Sequence, residues 1–104
     1  MILQKDEILD YLQSIKPEIQ KDGVEKLALF GSFSKDTATE NSDIDVAIKL
    51  KSDYLQTHDV WDYFNLLENI KKSITQKFHK KIDIFDLDSA TDIKKTILSE
   101  ALYV

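Results

Sequence analysis

Two apolar stretches of this chain are joined by a short polar segment, and residues suited to chemistry stand at both of its ends. The first stretch, 24–30, runs into Gly31-Ser32, and the second, 42–50, opens with Ser42-Asp43-Ile44-Asp45. A strand that passes through glycine into a turn of helix presents several backbone N–H groups at one place, and such groups bind anions, phosphate above all. We therefore predict strands at 24–30 and 42–50, with a short helical turn from Gly31 to about Lys35.

The second stretch alternates between aliphatic and other residues, so its carboxylates share one face. The aliphatic positions are Ile44, Val46, Ile48 and Leu50, and the positions between them are Asp43, Asp45, Ala47 and Lys49. Successive side chains of a strand point to opposite faces. Because the aliphatic face must meet the core, Asp43 and Asp45 lie on the other face, about 6.6 Å apart along the strand at ~3.3 Å per residue. Two carboxylates with this spacing can converge on one or two hard cations such as Mg²⁺.

A third carboxylate is available on a later strand. Asp83 stands between two isoleucines in the predicted strand 80–87. Three carboxylates beside a phosphate cradle are what nucleotidyl transfer requires, since two cations must hold the attacking oxygen, the α-phosphate and the leaving group. Each part is weak alone, because a chain with thirteen aspartates contains Asp-x-Asp pairs by chance. Asp86-Leu87-Asp88 is such a pair, and we interpret it as the solvated end of a strand.

The rest of the chain is predicted to be mainly helical. The first helix spans 5–22, with a kink or break near Ile15-Lys16 caused by Pro17 and a stop at Gly23. A second helix spans about 57–78, with Trp61 and Phe64 in its apolar stripe and therefore in the core. The last helix is expected to begin at Ser89 as N-cap and to continue through Leu102. His58 and His79 are predicted to be surface residues.

This order of elements predicts one α/β domain over residues 1–104, a small mixed sheet of about three strands flanked by helices. The chain has no cysteine, which excludes disulfides and thiolate metal sites. Its net charge of −5 argues against direct nucleic-acid binding. No apolar run is long enough to cross a membrane, and the N-terminus becomes acidic too soon for a secretory signal, so we expect a cytoplasmic protein.

These motifs resemble those of the minimal nucleotidyltransferases of the DNA polymerase β superfamily. Gly31-Ser32, Ser42-Asp43-Ile44-Asp45 and Lys81-Ile82-Asp83-Ile84 correspond to the family's Gly-Ser, Ser-Asp-hydrophobic-Asp and later Asp. The resemblance implies that fold, ATP as substrate and two Mg²⁺ ions. By position, the metal-binding and catalytic residues would be Asp43, Asp45 and Asp83, and the nucleotide-binding residues would be Gly31, Ser32, Lys35 and Ser42. One departure is Lys35-Asp36, which replaces the family's Arg-Gly and loses the bidentate fork of arginine.

Many proteins of this family are antitoxins paired with a HEPN-domain ribonuclease toxin. The resemblance implies transfer of AMP from ATP to a tyrosine hydroxyl of that toxin, which silences it. A second hypothesis is an antitoxin that is weak or inactive as an enzyme and neutralises the toxin by binding alone. A third, nucleotide addition to RNA, is disfavoured by the acidic charge.

Overall fold

The computed structural model describes residues 3–89 and 92–104, and in these ranges it contains four helices and four strands. The helices are α1 (Lys5–Lys21), α2 (Tyr54–Thr57), α3 (Val60–Phe78) and α4 (Lys94–Glu100). The strands are β1 (Val24–Phe30), β2 (Ile44–Leu50), β3 (Ile82–Asp86) and β4 (Leu102–Tyr103). No helix in the described part of the chain is long and apolar enough to cross a membrane.

The strands form one mixed sheet in the order β3-β2-β1-β4. β1 pairs antiparallel with β2 and with β4, whereas β2 and β3 run parallel. A parallel pair needs a long crossover, and α3 provides it. The predicted mixed α/β sheet flanked by helices is confirmed, but the prediction of about three strands missed β4.

The two faces of the sheet carry cores of different size. The larger cluster joins β1, β2 and β3 to α1 and α3 through Leu12, Leu29, Val46, Ile70 and Ile82, among others. The smaller cluster lies on the opposite face, where α4 packs against the sheet, and its buried members are Ala28, Phe30, Ala47, Leu87 and Ile97. Since Asp45 alternates with Val46, it lies on the face of the smaller cluster.

The first helix differs from the prediction, whereas the segment after β1 forms the short turn that was expected. α1 runs without a break through Pro17, so no helix end occurs near Ile15-Lys16. Residues 31–36 form successive turns, and the Lys35 N–H donates to the Gly31 carbonyl at 3.2 Å, so the predicted short helical turn is present but is not continued into a helix. The next residue, Asp36, has a φ of 60°, a left-handed conformation that ends any helical run.

The long helix begins later than predicted, and the side of it that is buried differs from the predicted side. Asp59 caps α3 by accepting a hydrogen bond from the Asp62 N–H at 2.8 Å, so the helix starts at Val60. Its buried residues are Leu66, Ile70 and Ile74. At about 100° per residue, Trp61 lies on the side of the helix opposite Ile70. The prediction that Trp61 and Phe64 belong to the core is therefore wrong, because they are 72% and 51% exposed. The two histidines are exposed, as predicted.

The final helix is shorter than predicted at both ends. Its N-cap is Ile93, and Ser89 instead donates its hydroxyl to the Asp86 carbonyl at 3.3 Å. The backbone becomes extended at Ala101, which allows Leu102 to pair with Leu29 of β1. Pairing with a neighbouring strand thus overrides the apolar spacing that favoured helix at this point.

Candidate active site

The bend after β1 lies directly against the carboxylate of Asp45, which belongs to β2. Gly31 has a φ of 77°, and a Cβ added there would stand 2.2 Å from the Asp45 Oδ2. In the antiparallel register, Asp45 is the partner of Phe30, the residue that precedes the bend. Only glycine therefore fits at this position, both for its backbone conformation and for the space that Asp45 occupies.

Two of the three predicted carboxylates share one face of the sheet, and the third lies close to them. Asp45 of β2 and Asp83 of β3 are direct partners in the parallel register, so their side chains point to the same side. Asp43 precedes β2 by one residue, its side chain is 40% exposed, and its Oδ2 is 3.9 Å from the Lys81 ammonium. The structure thus brings together the Gly31-Ser32 bend and the three aspartates that the sequence singled out.

The electrostatics of Asp45 reflect this crowding. Burial, followed by the negative charges of Asp83, Asp43 and Glu100, raises the pKa of the Asp45 carboxyl from 3.8 to about 6. Clustered carboxylates repel one another unless protons or cations compensate their charge. Carboxylate oxygens are also the ligands that Mg²⁺ prefers, so the donor set fits this ion. Within the described ranges, no three His, Cys, Asp or Glu side chains already form a metal-binding group.

Three of the predicted nucleotide-binding residues, Ser32, Lys35 and Ser42, each contact a different part of the chain. The Ser32 carbonyl accepts hydrogen bonds from the N–H and the hydroxyl of Thr37, at 2.9 and 3.4 Å. Lys35 is 52% exposed and its ammonium lies 3.2 Å from the Glu100 carboxylate. The Ser42 hydroxyl accepts from the Thr39 N–H at 2.8 Å, a contact that stabilises the loop before β2.

Asp36, which stands where the resembled family has glycine, forms an ion pair with a lysine. Its carboxylate is 3.0 Å from the Lys5 ammonium at the start of α1, and its side chain is 67% exposed. Aspartate tolerates the left-handed conformation that the family's glycine usually supplies. The ion pair with Lys5 offsets part of the negative charge that Asp36 adds near the bend.

Glu100 is a residue of this site that the sequence did not single out. Its carboxylate accepts a hydrogen bond from the Gly31 N–H at 3.2 Å and forms the ion pair with Lys35. The two ends of this hydrogen bond are 69 positions apart in the chain. No local pattern around Glu100 indicates the contact, because it depends on the pairing of β4 with β1.

Comparison with known proteins places the chain in a family. Residues 13–104 match the family described as "Polymerase beta, Nucleotidyltransferase". A relative from Methanocaldococcus jannaschii, named "Putative protein adenylyltransferase MJ0128", is 33% identical over 101 residues, which cover 94% of this chain and 95% of the relative.

Two solved structures share the fold. One is a toxin–antitoxin with AMP-PNP, at a TM-score of 0.62 and 24% identity, covering 97% of this chain and 72% of the other. The second is a tri-AMPylated Shewanella oneidensis HEPN toxin in complex with MNT antitoxin, at a TM-score of 0.51 and 21% identity, covering 88% of this chain and 69% of the other. The family resemblance seen in the motifs is confirmed. The chain therefore belongs to the polymerase beta nucleotidyltransferase family.

Proposed function

We propose that this domain transfers AMP from ATP to a tyrosine hydroxyl of a HEPN-domain ribonuclease toxin and thereby acts as its antitoxin. The observation that carries the proposal is the pairing of Asp45 with Asp83 on one sheet face, with Asp43 close to Asp45 and the bend at Gly31-Ser32 against it. A relative named as a protein adenylyltransferase supports a protein as acceptor. A structural neighbour that contains an AMPylated HEPN toxin supports the class of that protein.

In the proposed reaction, the tyrosine oxygen forms a bond to the α-phosphorus of ATP while the bond from that phosphorus to the pyrophosphate oxygen breaks. Asp43, Asp45 and Asp83 would hold two Mg²⁺ ions, which neutralise charge on the phosphates when bound. Asp83 accepts the hydroxyl proton and passes it to solvent.

The bend receives the triphosphate tail in this proposal. Gly31 lets the backbone approach the phosphates, because no side chain stands between them and the chain. Ser32 offers its N–H and its hydroxyl to the β- or γ-phosphate. Lys35 adds a positive charge on the same side of the bend, and Ser42 shapes the loop that leads to Asp43.

A protein partner is also supported by the surface. Four large apolar side chains at and before the start of α3 are more than half exposed: Leu55, Val60, Trp61 and Phe64. Exposed apolar groups of this size are typical of protein interaction sites. Such a small domain offers little surface to bind an acceptor by itself, so a docked partner would present its own tyrosine to the carboxylates.

Neutralisation by binding alone is the second candidate function. It is favoured by the environment of Lys35, whose ammonium is engaged by Glu100 and lacks the fork of arginine. Weaker phosphate binding would then leave docking as the main activity.

The decisive experiment combines the domain with its toxin partner, Mg²⁺ and ATP. Transfer predicts that the toxin gains the mass of one or more AMP groups and loses ribonuclease activity. Asp45→Asn should abolish both effects while the complex still forms. Asp10→Asn, which changes an exposed carboxylate on α1, is the matched control and should behave as wild type. Equal protection by Asp45→Asn with no mass change would instead support binding alone.

A further inference from the structure

The carboxylate of Glu100 bridges two groups of the bend. Its Oε2 accepts from the Gly31 N–H at 3.2 Å, and its Oε1 lies 3.2 Å from the Lys35 ammonium. The Glu100 side chain is only 18% exposed, whereas that of Lys35 is 52% exposed. Hydrogen bonds to a charged acceptor that is largely shielded from water are stronger than neutral ones.

Glu100 is itself held in place by the sheet. It is the last residue of α4, and β4 begins two residues later, where Leu102 pairs with Leu29 of β1. β1 is also the strand that leads into Gly31. The bend directly follows β1, and Glu100 is linked to the same strand through β4. This shared attachment keeps the carboxylate close to the bend.

Glu100 leaves part of the bend's hydrogen-bond donors open to a phosphate. It takes the N–H of Gly31, whereas the N–H and hydroxyl of Ser32 have no hydrogen-bond partner in the described part of the chain. An ammonium has three donors, so Lys35 can contact the carboxylate and a phosphate together.

We infer that Glu100 is a positioning residue, which orients the Gly31-Ser32 bend and Lys35 for the triphosphate tail without touching the nucleotide. This inference rests on the proposed transfer of AMP. It differs from a competing role, in which the carboxylate occupies the place of a phosphate and leaves when ATP binds. The two roles predict opposite effects on ATP affinity.

The test compares wild type with Glu100→Gln, which keeps the shape of the side chain and removes its charge. Glu68→Gln on the exposed surface of α3 is the matched control. We expect Glu100→Gln to raise the KM for ATP about five- to tenfold, as for the loss of a charge-assisted hydrogen bond, and to change kcat less than twofold. In a Lys35→Gln background the same substitution should have a smaller effect, because the two residues act together.

A second readout does not require nucleotide. The Gly31 amide resonance should shift, and its hydrogen exchange should accelerate, in Glu100→Gln but not in Glu68→Gln. Glu100→Asp, which keeps the charge on a shorter side chain, should also raise the KM, and it replaces Glu100→Gln if that variant does not fold.

Three results would overturn the inference. A lower KM in Glu100→Gln would indicate that the carboxylate competes with phosphate. Kinetics and a Gly31 resonance equal to those of Glu68→Gln would show that the contact has no role. If the wild-type protein neither binds nor transfers the nucleotide, the proposed function and this inference both fail. The wild-type assay alone detects this failure, before any variant is compared.

Discussion

Replacing Asp45 by asparagine should stabilise the folded domain above neutral pH. Asp45 is the carboxyl whose pKa is raised to about 6 by burial and by the charges of Asp83, Asp43 and Glu100. In the unfolded chain its pKa returns to the ordinary value of 3.8. Between these values the folded state binds more protons than the unfolded state. The free energy of unfolding therefore falls as Asp45 ionises between about pH 4 and 6, and this loss of stability remains at higher pH.

The size of the effect follows from the two pKa values. The difference between 3.8 and about 6 corresponds to about 3 kcal/mol, at about 1.36 kcal/mol for each pKa unit. Asp45 is only half-buried, and solvent screens part of the repulsion, so we expect about 1–1.5 kcal/mol. For a domain of this size, that gain would raise the melting temperature by roughly 4–10 °C.

Thermal and urea unfolding of wild type and Asp45→Asn, from pH 4 to pH 8, would measure this difference. The two proteins should be equally stable near pH 4 and should diverge up to about pH 7, with the variant more stable. Asp10→Asn on the exposed face of α1 controls for the loss of a charge. Equal stabilities at pH 8, or a difference that does not change with pH, would show that the carboxylates do not repel one another as described.

Three further predictions concern the same sheet face and the start of α3. Asp83→Asn should lower the pKa of Asp45, which NMR titration of the side-chain carboxyl would show, since the charge of Asp83 raises that pKa more than the charges of Asp43 and Glu100 do. Gly31→Ala should destabilise the fold by about 2 kcal/mol or more in urea unfolding, because the new methyl group meets Asp45 at a positive φ; an unchanged midpoint would contradict this. Trp61→Ala should leave the melting temperature unchanged and weaken partner binding about tenfold or more in calorimetry.

Much of the sheet could be predicted from sequence because local signals agree there. The bounds of β1 were predicted correctly, since an apolar run ends at glycine on one side and begins after glycine on the other. The position of Asp45 on the face opposite Val46 followed from the alternation of residues in β2. These are features in which propensity and burial give the same answer.

The remaining features depend on contacts between distant segments. β4 has only two residues and exists because β1 offers it an edge. The contact of Glu100 with Gly31 follows from that pairing and has no sequence signature. The exposure of Trp61 could not be read from its apolar character, because the stripe of α3 is centred on Leu66 and Ile70.

The division of the sheet into two faces has a consequence for how this domain can change. The larger cluster, which holds α1 and α3, lies opposite the aspartates. Losing a carboxylate from the other face leaves that cluster intact, and in the case of Asp45 it relieves repulsion. Acidic residues of that face could therefore be lost one at a time during evolution without passing through an unfolded ancestor.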